Sequence, residues 1–133
     1  MSPLPTTIIK EKALPEGTVT LRSDGIVYVK YYENQTIDVG VQMRMLEVFN
    51  EITQKKLTPF IFEADEGVIV TKEARDNGIA IEELTPCKAT AVVVSSIGYS
   101  MIANFYLKFN KPKRPFKVFS NVEDAQEWLK GYL

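Results

Sequence analysis

Histidine is absent from this sequence, and cysteine occurs once, at Cys87. The first absence removes the commonest general base, proton shuttle and zinc ligand. The second excludes an internal disulfide and any thiolate metal cluster. No stretch approaches the roughly 18–20 apolar residues of a membrane span, so no transmembrane segment is expected. Charge is nearly balanced: 16 basic residues stand against 17 acidic ones, for a net charge of −1. A dedicated nucleic-acid binder needs many phosphate-neutralising cations, so nucleic acid is not an expected partner. Met1 to Lys10 lacks the charged start and apolar run of a signal peptide, which makes the cytoplasm the expected compartment.

The composition that remains, 45% apolar and 25% charged over 133 residues, is that of an ordinary globular domain able to bury a core without covalent staples. Residues 1–17 carry Pro3, Pro5, Pro15 and Gly17 and read as an irregular lead-in, with a short strand at Ile8-Ile9. Thr18–Leu21 and Ile26–Tyr32 alternate apolar and polar residues around the turn signal Ser23-Asp24-Gly25, which predicts a β-hairpin over 18–33. Asp38 or Thr36 then caps a helix to about Gln54, with Met45, Leu46, Phe49 and Ile52 on one face.

Phe60–Ala64 reads as a short apolar strand, and Thr71 as the cap of a helix over Lys72–Asn77 that Gly78 stops, with a further helical turn over Ile79–Leu84. The β-branched run Thr90–Ser95 marks a central strand buried on both faces. A helix over Ile97–Asn110, a proline-bearing connection, a strand at Phe116–Phe119 and a helix capped by Ser120 complete the chain. Strands alternating with helices after an opening hairpin place the domain in the α/β class with a mixed sheet.

In that order, AVVVSSIGYSMIANFYLKFNKPKRPFKVFSNVEDAQEWLKGYL, residues 91–133, resembles the C-terminal half of the SpoIIAA-like branch of the STAS (sulphate transporter and anti-sigma factor antagonist) superfamily. The Gly25–Tyr32 strand, the helix at Asp38, the Phe60–Ala64 strand and Val70–Arg75 fit the same pattern upstream. The resemblance implies one STAS-like domain over residues 18–133, a four- or five-stranded mixed sheet with helices packed mainly on one side. It also implies a phosphorylatable hydroxyl at the start of the second helix. The family's Asp-Ser-Ser-Gly-like segment is replaced here by Val70-Thr71-Lys72-Glu73-Ala74, so Thr71 is the only phospho-switch candidate, and helix capping is its simpler role.

Four other groups invite a functional reading. Ser95, Ser96 and Gly98 stand where the central strand gives way to a helix, a place where open α/β sheets bind ligands or anions. The Ile97–Asn110 segment is apolar nearly all round, so Tyr99, Ile102, Phe105, Tyr106 and Phe109 form a candidate partner or ligand surface. Beside it, Lys108, Lys111, Lys113, Arg114 and Lys117 make a basic cluster suited to an anionic headgroup. Glu63, Asp65 and Glu66 are an acidic group whose plain reading is a solvated loop.

With no histidine to activate a serine, no catalytic residue, cofactor or metal is expected. The leading expectation is a non-enzymatic regulatory or protein-interaction module, as a homodimer or with another protein partner. The alternative is a small binding protein for a lipophilic or amphipathic anionic molecule, in solution or at a membrane surface. A closed apolar cavity under the Ile97–Asn110 helix, or co-purifying lipid, would favour the second; a flat apolar patch burying well over ~1,000 Å² against a second copy would favour the first.

Overall fold

The structure, a computed structural model, describes residues 7–94 and 112–133. Six strands form one sheet: β1 (Ile8–Leu14), β2 (Gly17–Arg22), β3 (Val27–Tyr31), β5 (Thr58–Ala64), β7 (Cys87–Val94) and β8 (Phe116–Phe119), side by side in that order. The first three pair antiparallel, and β3, β5, β7 and β8 pair parallel, so the sheet is mixed as expected. A two-stranded parallel ladder, β4 (Thr36–Ile37) with β6 (Ile69–Val70), lies apart from it. The helices are α1 (Val39–Thr53), α2 (Lys72–Ala80) and α3 (Val122–Leu129), with a 3₁₀ turn at Glu82–Leu84.

Six strands exceed the expected four or five because the lead-in is not irregular beyond residue 7. Ile8–Leu14 forms a full edge strand paired to β2. Its side chains are almost all exposed, so no apolar alternation marks it in the sequence. A register shift near Ile9, together with Lys10 and Lys12, blunts this edge against pairing with another chain. Gly17 lets the following strand pass close to β3. A Cβ there would stand 2.1 Å from the Lys30 carbonyl oxygen.

Side chains alternate across the sheet and divide the core in two. On one face Val19, Val27, Val29 and Phe60 meet Met45, Val48, Phe49 and Ile52 of α1. On the other, Ile26, Ile61, Ala89, Ala91 and Val93 meet Ala125 and Leu129 of α3. The small side chains of Ala89, Ala91 and Ala125 bring α3 close to β7. Two of the three described helices thus lie on the α1 face, and α3 lies on the opposite one.

Helix boundaries show where local signals were outweighed. Asp38 caps α1 by accepting from the Val41 amide at 2.9 Å, and Thr71 caps α2 by accepting from the Ala74 amide at 3.1 Å. Gly78 does not stop α2, which continues to Ala80. Its missing side chain instead admits Gln42 of α1, whose amide nitrogen lies 3.3 Å from where a Cβ would be. Gln42 also donates to the Ala74 carbonyl and accepts from Asn77, locking α1 to α2. The cap of α3 is Asn121, not Ser120: the Asn121 side-chain oxygen accepts from the Asp124 amide at 2.8 Å.

Leu129 is fully buried between α3 and the alanine surface of β7. Leu129→Ala is expected to lower unfolding free energy by about 2–5 kcal/mol. Urea denaturation followed by Trp128 fluorescence measures it, and a loss under about 1 kcal/mol would mean that α3 is not held by this packing.

Candidate functional site

On the α1 face the two halves of the sheet are covered differently. Over β2 and β3, α1 supplies an apolar lid. Alpha2 leans on α1 through Gln42 and Asn77, and between it and the β5–β7–β8 half of the sheet lies an apolar trough of about 520 Å³. Its floor is Tyr31, Phe62, Thr90, Val92 and Phe116, the residues that strand alternation turns toward this side. Met45, Leu46 and Phe49 form one wall, and Ala74, Ile79 and Ile81 stand opposite. Residues 95–111, which join Val94 to Pro112 at the trough's border, lie outside the described residues.

The floor is built on an aromatic cluster. Phe49 meets Phe60 and Phe62 edge-on at 5.0 and 5.7 Å between ring centroids, and Tyr31 stacks on Phe62 at 6.4 Å. Such contacts fix ring positions as well as burying area. Burial raises the Tyr31 phenol above its ordinary range. It also pushes the Cys87 thiol up to about 12, against the smaller opposing pull of the Thr85 hydrogen bond and the Arg114 charge. Cys87 is therefore a protonated, weakly nucleophilic wall residue at neutral pH.

Polar chemistry in the trough concentrates at the end where β7 and β8 begin. Arg114 lines that end. Its Nη1 donates to the Thr85 carbonyl at 2.8 Å, the Cys87 carbonyl at 2.9 Å and the Thr85 hydroxyl at 3.2 Å. The Glu82 carboxylate is engaged differently, accepting from the backbone amides of Lys113 and Arg114 at 3.0 and 3.4 Å. Among the described residues no carboxylate lies within ion-pair distance of the Arg114 guanidinium. At the opposite end, Arg75 donates to the Val70 carbonyl at 2.7 Å.

The comparisons with known proteins bear on this architecture. A family model described as Domain of unknown function (DUF7793) matches residues 19–133, nearly the whole folded region. The chain belongs to the DUF7793 family. No curated protein matches it. Among solved structures, the chain is similar to a DUF3478-family protein with a SpoIIAA-like fold from Shewanella loihica PV-4. That similarity has a TM-score of 0.54 at 12% identity and covers 97% of this chain and 98% of the other. The DUF7793 chain thus has a SpoIIAA-like α/β fold, as its sequence pattern implied.

The sequence-predicted residues of this DUF7793 domain fall into separate places. Ser95, Ser96, Gly98, Tyr99, Ile102, Phe105, Tyr106, Phe109, Lys108 and Lys111 lie outside the described residues. The described part of the basic cluster is divided by the sheet. Arg114 lines the trough, Lys113 is exposed with its ammonium 3.9 Å from Glu83, and Lys117 sits 5.4 Å above the Phe119 ring on the α3 side. Thr71 is occupied as the α2 cap.

Glu63 and Asp65 share Lys30 at 3.8 Å each, and Glu63 also accepts from the Tyr28 hydroxyl, so these two acids are engaged, while Glu66 is exposed. Glu63 and Asp65 raise the Tyr28 phenol further after burial has done so. Among the described residues no group of carboxylates and cysteine is arranged to hold a metal ion, and no helix is long and apolar enough to cross a membrane.

The trough itself went unread in the sequence, where Phe62 of its floor stood only as part of an apolar strand.

The Cys87 shift has a consequence in alkali. The folded protein keeps the thiol proton to a higher pH than the unfolded chain, so stability is full below the ordinary thiol value of 9.0 and falls as pH rises from there toward about 12. Tyr31 and Tyr28 add the same trend from their ordinary value of 10.0 upward. Denaturation midpoints measured against pH should begin to fall near pH 9. In Cys87→Ala the onset should move toward pH 10, and an unchanged onset would show that the thiol is not buried.

Proposed function

We propose that this DUF7793 protein is a non-catalytic binding module with a SpoIIAA-like fold, and that its trough takes up a small lipophilic or amphipathic anionic molecule. The observation that carries this reading is the trough's size and lining. A volume of about 520 Å³ falls within the roughly 300–1,000 Å³ of small-molecule sites, and the lining is aromatic and aliphatic with few polar groups. The chemistry of the described side chains supports the absence of catalysis. Cys87 is held protonated, Glu63 and Asp65 are paired with Lys30, and the sequence has no histidine to serve as a base.

The trough supports the ligand-binding reading, although the space under the Ile97–Asn110 segment, where a cavity was expected, lies outside the described residues. The regulatory and protein-interaction role of STAS relatives remains the second reading. It draws support from exposed apolar residues at the trough's rim, Ile69 at 57% and Val70 at 37% of full exposure. A homodimer or another protein partner would cover that rim.

Native mass spectrometry of freshly purified protein should show an adduct of a few hundred daltons that is lost on denaturation. Delipidated protein should then bind a fluorescent apolar probe. Val92→Phe fills the floor while suiting a strand, and should weaken probe binding at least tenfold with little change in melting temperature. A bare monomer or dimer mass, together with no probe uptake, would refute the binding role.

A further inference from the structure

We propose that Arg114 is the head-group subsite of the trough, and that the molecule held there is a single-chain amphipath ending in a carboxylate. This rests on the binding role proposed above and adds the ligand's chemistry and its direction. Three observations carry it.

The first is the state of the guanidinium. Among the described residues its three side-chain hydrogen bonds all run through Nη1, to Thr85 and Cys87. These bonds fix the planar group at the trough wall and leave the edge formed by Nε and Nη2 without a bond among the described residues. That edge presents two parallel N–H donors, the fork that a carboxylate accepts in bidentate fashion.

The second is charge. Arg114 has no carboxylate within ion-pair distance among the described residues, and Glu82, at the same end, is committed to the amides of Lys113 and Arg114. A cation lining a largely apolar hollow gains most from an anionic partner, because low dielectric strengthens the pair. Glu82 sets the size of that partner's charge. A monoanionic carboxylate adds the least negative charge beside Glu82, whereas a phosphate dianion would add twice as much.

The third is direction. From Arg114, just before β8, the floor runs over Thr90 and Val92 to Phe62, with Met45 and Phe49 along one wall; among these described residues and Tyr31, which stacks on Phe62, the only polar side-chain groups are the Thr90 and Tyr31 hydroxyls. An alkyl chain anchored at Arg114 therefore lies along the floor with its tail against the aromatic cluster.

The test compares three probes of equal chain length on the delipidated protein: a saturated fatty acid, its primary alcohol and its alkyl phosphate. Affinities are read by displacement of a fluorescent apolar probe. The acid should bind at least roughly tenfold more tightly than the alcohol, as a charge-assisted bidentate bond warrants. Arg114→Gln should erase that preference, and retained uptake of the fluorescent apolar probe with an unchanged melting temperature shows separately that the trough is intact. Arg114→Lys, which keeps the charge but not the fork, should retain only part of the preference.

Equal binding of acid and alcohol to the native protein would overturn the subsite and leave the binding role standing. A preference that survives in Arg114→Gln would move the head group elsewhere. Tighter binding of the alkyl phosphate than of the acid would overturn the carboxylate assignment. Binding of none of the three, which occupancy by residues 95–111 or by a second copy would produce, removes the binding role itself.

Discussion

The parallel pairing of β5 between β3 and β7 is the constraint on which the other features depend. Phe60 and Ile61 are adjacent in the chain, point to opposite faces and are both fully buried. No water reaches the backbone between them, so the ladder hydrogen bonds to Val27–Tyr31 and Ala89–Val94 must be complete. Once that register is set, strand alternation assigns every neighbouring side chain to a face. Tyr31, Phe62 and Val92 go to the α1 side, and Tyr28, Glu63 and Val93 to the other.

The two faces are then completed by different means. On the α3 side, alanines on strand and helix permit close contact, and Leu129 closes the gap. On the α1 side, the larger side chains of Tyr31, Phe62, Val92 and Phe116 line the trough floor. Alpha2 is tied to α1 by Gln42, Asn77 and Gly78, which fixes its distance from β7. Among the described residues, the trough lies between that floor and α2. Large side chains line one half of a face while the helix that bounds it is anchored elsewhere. The same alternation separates Arg114 and Phe116 from Lys117 and Phe119, which a sequence-level view groups into one basic cluster.

Much of the fold was legible because its signals are local. The hairpin turn at Gly25, the caps at Asp38 and Thr71 and the β-branched run ending β7 each carry their own chemistry within a few residues. Beta1 was hidden because an exposed edge strand needs no apolar period, and the prolines around it suggested irregularity. Gly78 misled because a glycine after asparagine signals a left-handed stop, whereas here it answers a tertiary demand, the approach of Gln42. The trough was less legible still. Its described lining comes from the strands β3 to β8, from α1 and α2 and from the 3₁₀ turn, and only the sheet order brings them together. Arg114 could be picked out as a cation, but its bonds to Thr85 and Cys87 depend on pairing between β7 and its neighbours.

The account turns on what fills the trough. Methyl-labelled protein with an unlabelled fatty acid, studied by isotope-filtered NMR, addresses that directly. The predicted result is a set of contacts from the alkyl chain to the methyl groups of Met45, Leu46 and Val92, with the carboxyl end nearest Arg114. Contacts from those methyls to residues 95–111 alone, unchanged by added fatty acid, would contradict it.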